Sequence, residues 1–237
     1  MNHFSGSEAE EKQNDLPSVE IWNNRPTIAS PSCPRALKVD RSMTQAFVAL
    51  GSNLTSRNAA PPAILSTAVK LLNAKGVVPT SLSLLYKTPA YPAGSGPDFV
   101  NAVIAAEVGD LLPAEVLSRL HMVESALGRE RSVRWGARTA DLDLIAMGNA
   151  VLPEETTWRR WRDLSPARQR QEAPDTLVLP HPRLQDRAFV LVPMADVAGD
   201  WRHPVTRLSV AEMLESLPEA ERWGVVPLAA PPEEWRL

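Results

Sequence analysis

The run Arg134-Trp-Gly-Ala-Arg138-Thr-Ala-Asp141-Leu-Asp143-Leu-Ile145-Ala-Met147 governs the reading of everything around it. From Ala140 onward the segment is apolar except for Asp141 and Asp143, and it has the length and flanks of a buried strand. Side chains alternate across a pleat, so carboxylates two positions apart emerge on one face. Neighbouring carboxylates repel and raise each other's pKa unless a cation lies between them. Magnesium, a hard ion that takes oxygen ligands and commonly arrives with phosphate, suits that place. Arg134 and Arg138, just upstream, offer planar forks that grip phosphate oxygens. Metal-assisted phosphoryl chemistry is the first expectation.

Elements of opposite period lie on the N-terminal side. Ala46–Leu50 reads as a buried strand closed by the turn residues Gly51, Ser52 and Asn53. Pro61-Pro62 opens a helix through Ile64, Leu65, Ala68, Leu71 and Leu72 that Gly76 ends. Val77–Tyr86 suggests a second strand. Phe99–Val108 suggests a third, with Phe99, Asn101, Val103 and Ala105 on one face. Pro113 starts a second helix through Val116, Leu117, Leu120, Val123 and Leu127, stopped by Gly128. The order β-α-β-β-α-β, with the acidic strand last, predicts an α+β, ferredoxin-like sandwich: a mostly antiparallel sheet under two helices. Phe189–Val197 and Val210–Leu217 add a C-terminal helical extension.

The 237 residues, 44% of them hydrophobic, suffice for one domain with a proper core, expected over 43–237. Residues 1–42, rich in Ser, Asn, Glu and Pro, are expected to be a disordered tail or a mis-assigned start, with translation beginning at Met43. A net charge of −3 gives no global reason for nucleic-acid or membrane binding, and neither partner is expected. One cysteine, Cys33, no secretory signal and no apolar run of membrane length point to a cytoplasmic protein, expected as a monomer. Residues 154–175 break the pattern with Trp158, Arg159, Arg160, Trp161, Arg162, Arg168 and Arg170. Such a mixture can stack on and neutralise nucleic acid. A surface helix that packs its tryptophans and leaves its arginines in water is the preferred account.

Several chemistries are excluded at the level of motif. No Gly-x-x-x-x-Gly-Lys-Ser/Thr loop or Gly-x-Gly-x-x-Gly follows a strand, and one cysteine with four histidines makes a poor zinc site. The phosphate grip must therefore come from side chains and metal. Arg129, Arg131, Arg134 and Arg138 form an arginine-rich loop before the acidic strand, able to close over an anion. Trp135 within it is placed either to cap a flat ligand or to pack on the sheet edge.

Several motifs follow one another in order: Phe47-Val-Ala-Leu-Gly51-Ser-Asn53, Tyr86-x-Thr88-Pro89, Pro97-Asp98-Phe99-x-Asn101 and Glu124-x-x-Leu-Gly128-Arg129-x-Arg131. Arg134-x-Gly-Ala-Arg138-x-x-Asp141-Leu-Asp143 and Pro180-His181-Pro-x-Leu-x-x-Arg187-x-Phe189 complete them, over roughly residues 45–200. In these the chain resembles 6-hydroxymethyl-7,8-dihydropterin pyrophosphokinase of the folate pathway. The resemblance implies diphosphate transfer from ATP to the hydroxymethyl group of the dihydropterin, with release of AMP. It further implies that Asp141 and Asp143 hold two Mg²⁺ ions with ATP. Thr88, Pro89, Tyr91, Phe99, Asn101, Trp135 and Phe189 would bind the pterin, with Phe99 and Phe189 sandwiching its ring. From sequence alone, core packing is the commoner fate of such phenylalanines. Glu124, Arg131, Arg134, His181 and Arg187 would contact ATP, while Arg129 and Arg138 act in catalysis. The chain departs from the better-known bacterial pattern at His121, where glutamine is expected near the adenosine, and at Ser132, where a basic residue is common. The segment before Pro180-His181 is longer by about twenty residues, beyond an ordinary loop, and is expected to cover the ATP edge.

Overall fold

The computed structural model describes residues 44–56, 59–90, 96–128, 139–228, 233 and 235–237. The N-terminal tail and the alternative start at Met43 lie outside them. Strand β1 (Gln45–Ser52) leads to helix α1 (Pro61–Ala74), whose first-turn prolines supply the helical φ and lack N–H groups that would have no partner there. Its residues Ile64, Leu65, Ala68, Val69 and Leu72 are buried, and Gly76 at φ 76° turns the chain beyond its end. The chain continues through β2 (Val78–Leu82), β3 (Tyr86–Thr88) and β4 (Phe99–Glu107) to helix α2 (Pro113–Ala126) and strand β5 (Asp141–Met147).

Strand order is β5-β1-β4-β3-β6, with β2 also pairing β4, and every one of these pairings is antiparallel. The stretch expected as one strand over Val77–Tyr86 is two, β2 and β3. Between them Ser83 exchanges bonds with Val103, its N–H donating to the carbonyl and its Oγ accepting the N–H. The Leu84 N–H turns away to the Asp196 carboxylate, which also accepts the Tyr86 hydroxyl at 2.8 Å. The side chains of Ser83 and Asp196 thus stand in for ladder partners at Ser83 and Leu84. A second difference is at Gly51 and Ser52, expected in a turn but lying inside β1.

Alternate residues of the sheet feed separate cores. Ala46, Val48, Leu50, Ala102 and Ile104 pack with α1 and α2 residues such as Leu65, Leu72 and Leu120. Phe47, Val103 and Ala105 pack instead with Val190, Leu191 and Met194 of α5 (Ala188–Ala198) and with Val210 and Met213 of α6 (Val210–Ser216). The sheet is therefore covered on both faces, one layer more than two helices would provide. Ser209 caps α6 by accepting the Glu212 N–H, and Glu212 accepts the Ser209 N–H in return. Between β5 and α5 lie α3 (Glu155–Arg162), α4 (Pro166–Gln171) and a 3-10 turn (Leu184–Asp186). Beyond α6 come α7 (Glu219–Trp223) and β6 (Val226–Pro227), which pairs with β3. Among the described residues no helix is long and apolar enough to cross a membrane.

Candidate active site

One end of the sheet gathers most of the described site residues. The register places Gly51 of β1 between two partners, Asp141 of β5 on one side and Asn101 of β4 on the other. Asp143 lies opposite Ala49, two residues further along. The burial of β5 alternates at its start: Leu142 and Leu144 are buried, while Asp141 and Asp143 are partly exposed. Both acids therefore share the face opposite α1 and α2, as the spacing requires.

Gly51 is the residue that sequence reading missed. A Cβ built there would lie 3.1 Å from Asn101 Oδ1, 3.9 Å from Phe99 Cδ1 and 4.0 Å from Asp141 Cβ. A bare backbone at this position lets the amide, the phenyl ring and the acidic strand converge. The Gly-Ser-Asn triplet carries the signal, but these residue types favour turns and the triplet reads as one. Asn101 is 7% exposed and donates from Nδ2 to Thr88 Oγ1 at 2.7 Å. Thr88 pairs with Phe99 across β3 and β4, which places three residues expected at the pterin in one patch. Pro89, next in sequence, is exposed at the end of β3. Asn53 Nδ2 donates to the Pro97 carbonyl at 3.1 Å and ties down the segment entering β4.

The start of α5 brings the second group. Arg187 Nη1 lies 3.8 Å from Asp143 Oδ2, a long ion pair, and its guanidinium is 5.6 Å from the centre of the Phe189 ring. Phe189 is 41% exposed, so core packing does not account for it. The His181 N–H donates to the Ile145 carbonyl at 2.7 Å, anchoring this histidine beside the acidic strand. Burial, and then the positive charges of Arg187 and Arg183, hold the His181 imidazole well below the usual histidine range, against an opposing pull from Asp141. Its Nδ1 accepts the Arg183 N–H at 3.0 Å. A neutral ring with Nδ1 as acceptor carries its proton on Nε2, so His181 offers one N–H donor at neutral pH.

Glu124, also expected at ATP, comes from a different element. It is 1% exposed on α2, and Oε1 accepts the N–H of Leu142, the residue between the two acids, at 2.8 Å. Its visible work is to hold β5 in place, a positioning task. Tyr91 and the loop residues Arg129, Arg131, Arg134, Trp135 and Arg138 lie outside the described residues, as does Ser132.

Among the described residues no group of three or more His, Cys, Asp or Glu side chains could hold a metal. Two carboxylates on one face nevertheless fit magnesium, which usually keeps waters and phosphate oxygens for most of its shell. Such a site becomes complete only when a phosphate-bearing ligand arrives.

The chain is similar to known proteins along much of its length. The family of 7,8-dihydro-6-hydroxymethylpterin-pyrophosphokinase (HPPK) matches residues 47–199. The chain is 35% identical over 172 residues to the 2-amino-4-hydroxy-6-hydroxymethyldihydropteridine pyrophosphokinase of Pseudomonas aeruginosa, covering 73% of this chain and 91% of that protein. It is 30% identical over 211 residues to the folic acid synthesis protein fol1 of Pneumocystis carinii, covering 88% of this chain but only 25% of the longer relative. A crystal structure of Plasmodium falciparum HPPK-DHPS with pteroate shares the fold at a TM-score of 0.53 and 12% identity, over 76% of this chain and 43% of that one. This chain belongs to the 7,8-dihydro-6-hydroxymethylpterin-pyrophosphokinase family.

Proposed function

We infer that the chain transfers the terminal diphosphate of ATP to the hydroxymethyl oxygen of 6-hydroxymethyl-7,8-dihydropterin and releases AMP, a step of folate synthesis. The observation that carries the reading is the position of Gly51, flanked in register by Asp141 and Asn101. That register sets an acidic, cation-binding strand beside a patch suited to a flat polar ring. Family membership supports a hydroxymethylpterin as the acceptor, and two carboxylates on one strand face support magnesium as the ion that accompanies ATP.

Asp141 and Asp143 are the residues to hold two magnesium ions with ATP. When bound, the metal neutralises phosphate charge and aligns the chain of phosphates for attack. The rest falls to side chains. Phe99 and Phe189 supply apolar ring faces for the pterin, which stacks as aromatic systems do. Asn101 presents an amide to the ring's donor and acceptor edge, with one of its N–H groups already held by Thr88. The hydroxymethyl oxygen attacks the β-phosphorus as its bond to the AMP oxygen breaks, and the hydroxyl proton leaves to solvent or phosphate. Arg187 and the His181 N–H donor bind phosphate oxygens, and the loop residues Arg129 and Arg138 take the catalytic cationic role. Positioning and charge stabilisation supply most of the effect in such transfers, so a dedicated general base is not required.

The strand order and antiparallel pairings support a ferredoxin-like assignment, with α5 and α6 as a C-terminal addition on the sheet face that carries the two acids. An AMP-release assay with ATP, Mg²⁺ and the reduced pterin tests the reading. AMP should form only when all three are present. Release of AMP without the pterin, or none with it, overturns the assignment.

A further inference from the structure

The insertion before His181 is not a loose flap. Leu152 and Leu179 exchange backbone hydrogen bonds of 2.8 and 3.1 Å across its neck. From that neck rises α3, and its tryptophans have different fates: Trp158 is 0% exposed, whereas Trp161 is only partly buried beneath Arg160. Arg159, Arg162 and Arg168 of the insertion face water and pair locally, with Glu155, Asp163 and Glu172 respectively. The Trp158 ring packs 4.7 Å from His203, which in turn meets Trp201. Its Nε1–H donates to the carbonyl oxygen of Pro180 at 2.8 Å, in a buried contact. Pro180 immediately precedes His181.

We propose that Trp158 is a positioning residue for nucleotide binding, fixing through the Pro180 carbonyl the backbone from which His181 presents its Nε2–H to phosphate. Two anchors then hold His181 from opposite sides: the insertion grips the residue before it, and β5 grips its own N–H through Ile145. With Nδ1 occupied by the Arg183 N–H, the remaining donor has one direction to point. The long insertion thus acts as a buttress. This inference rests on the diphosphate-transfer reading above.

The test uses the full chain. Trp158→Phe keeps an aromatic ring but deletes the donor. It should raise the KM for MgATP about fivefold, the weight of one hydrogen bond, while leaving pterin affinity within twofold. Trp161→Phe, on the same helix, should leave both unchanged. In a His181→Ala background the Trp158→Phe loss should vanish, because the contact acts through His181. A lowered Tm with unaltered KM for MgATP, equal losses for both tryptophans, or a full loss retained without His181 would overturn the proposal. Should the phenylalanine variant fail to fold, the unaltered ¹⁵N-labelled chain still answers. Its Trp158 indole N–H signal should shift on adding Mg²⁺ and α,β-methylene ATP; a stationary signal counts against the coupling. If the unaltered chain releases no AMP in the pterin-dependent assay, the functional reading itself has failed, an outcome separate from any effect of Trp158.

Discussion

Gly51 shows how much a site can depend on one missing methyl. At 3.1 Å from Asn101 Oδ1, an added Cβ would be tighter than ordinary contact allows, and the amide would have to give way. Asn101 is held on its other side by Thr88, so it has little room to do so. Gly51→Ala is therefore expected to raise the KM for the pterin roughly tenfold, about 1.4 kcal/mol of binding, with a smaller effect on ATP. Steady-state kinetics with each substrate varied in turn checks this; equal effects on both would place the disturbance elsewhere. The acids required no such discovery. A period of two, read from Asp-Leu-Asp in an apolar run, fixes both on one face whatever the rest of the fold does.

Between elements, the contact from α2 to β5 shows a charge put to structural use. Glu124 crosses from the helix to accept the Leu142 N–H in a buried place, between the two acids of the site. Removing that acceptor leaves a buried donor in search of a partner. Glu124→Ala should lower unfolding stability by about 2 kcal/mol, read by urea denaturation, whereas Glu124→Gln keeps an acceptor oxygen and should lose less. A variant as stable as the parent would mean that β5 does not depend on the bond. A helical period predicts that α2 exists and which side it buries. It does not predict that a carboxylate, usually a surface group, turns inward to a strand eighteen residues away.

For the whole molecule, acid stability has an identifiable contributor in His203. Burial, and then the charge of Arg162, lower its pKa from 6.5 to about 4. The ring is 0% exposed between Trp158 and Trp201, and Nδ1 accepts the N–H groups of Val205 and Thr206. Because the unfolded chain binds this proton more readily than the folded one, stability from this group is intact above about pH 6.5. It falls as pH drops towards 4 and changes little below that. The expected loss is on the order of 3 kcal/mol. His203→Asn, which keeps an acceptor near Nδ1, should flatten that part of the profile of stability against pH. An unchanged slope would assign the acid sensitivity to other groups.

Local periodicity and spacing carried the secondary structure far, because a strand's alternation and a helix's 3.6-residue repeat are written into neighbouring residues. From them came β1, α1, α2, the acid pair and the helices after His181. The division of Val77–Tyr86 into β2 and β3 was not available that way, since its cause is Asp196, 112 residues from Leu84. Nor was the hydrogen bond from Trp158 to the Pro180 carbonyl, nor the convergence of Asn101, Phe99 and Asp141 on Gly51. Those contacts join residues far apart in the chain. Their existence depends on strand register and packing depth, quantities that no single segment contains.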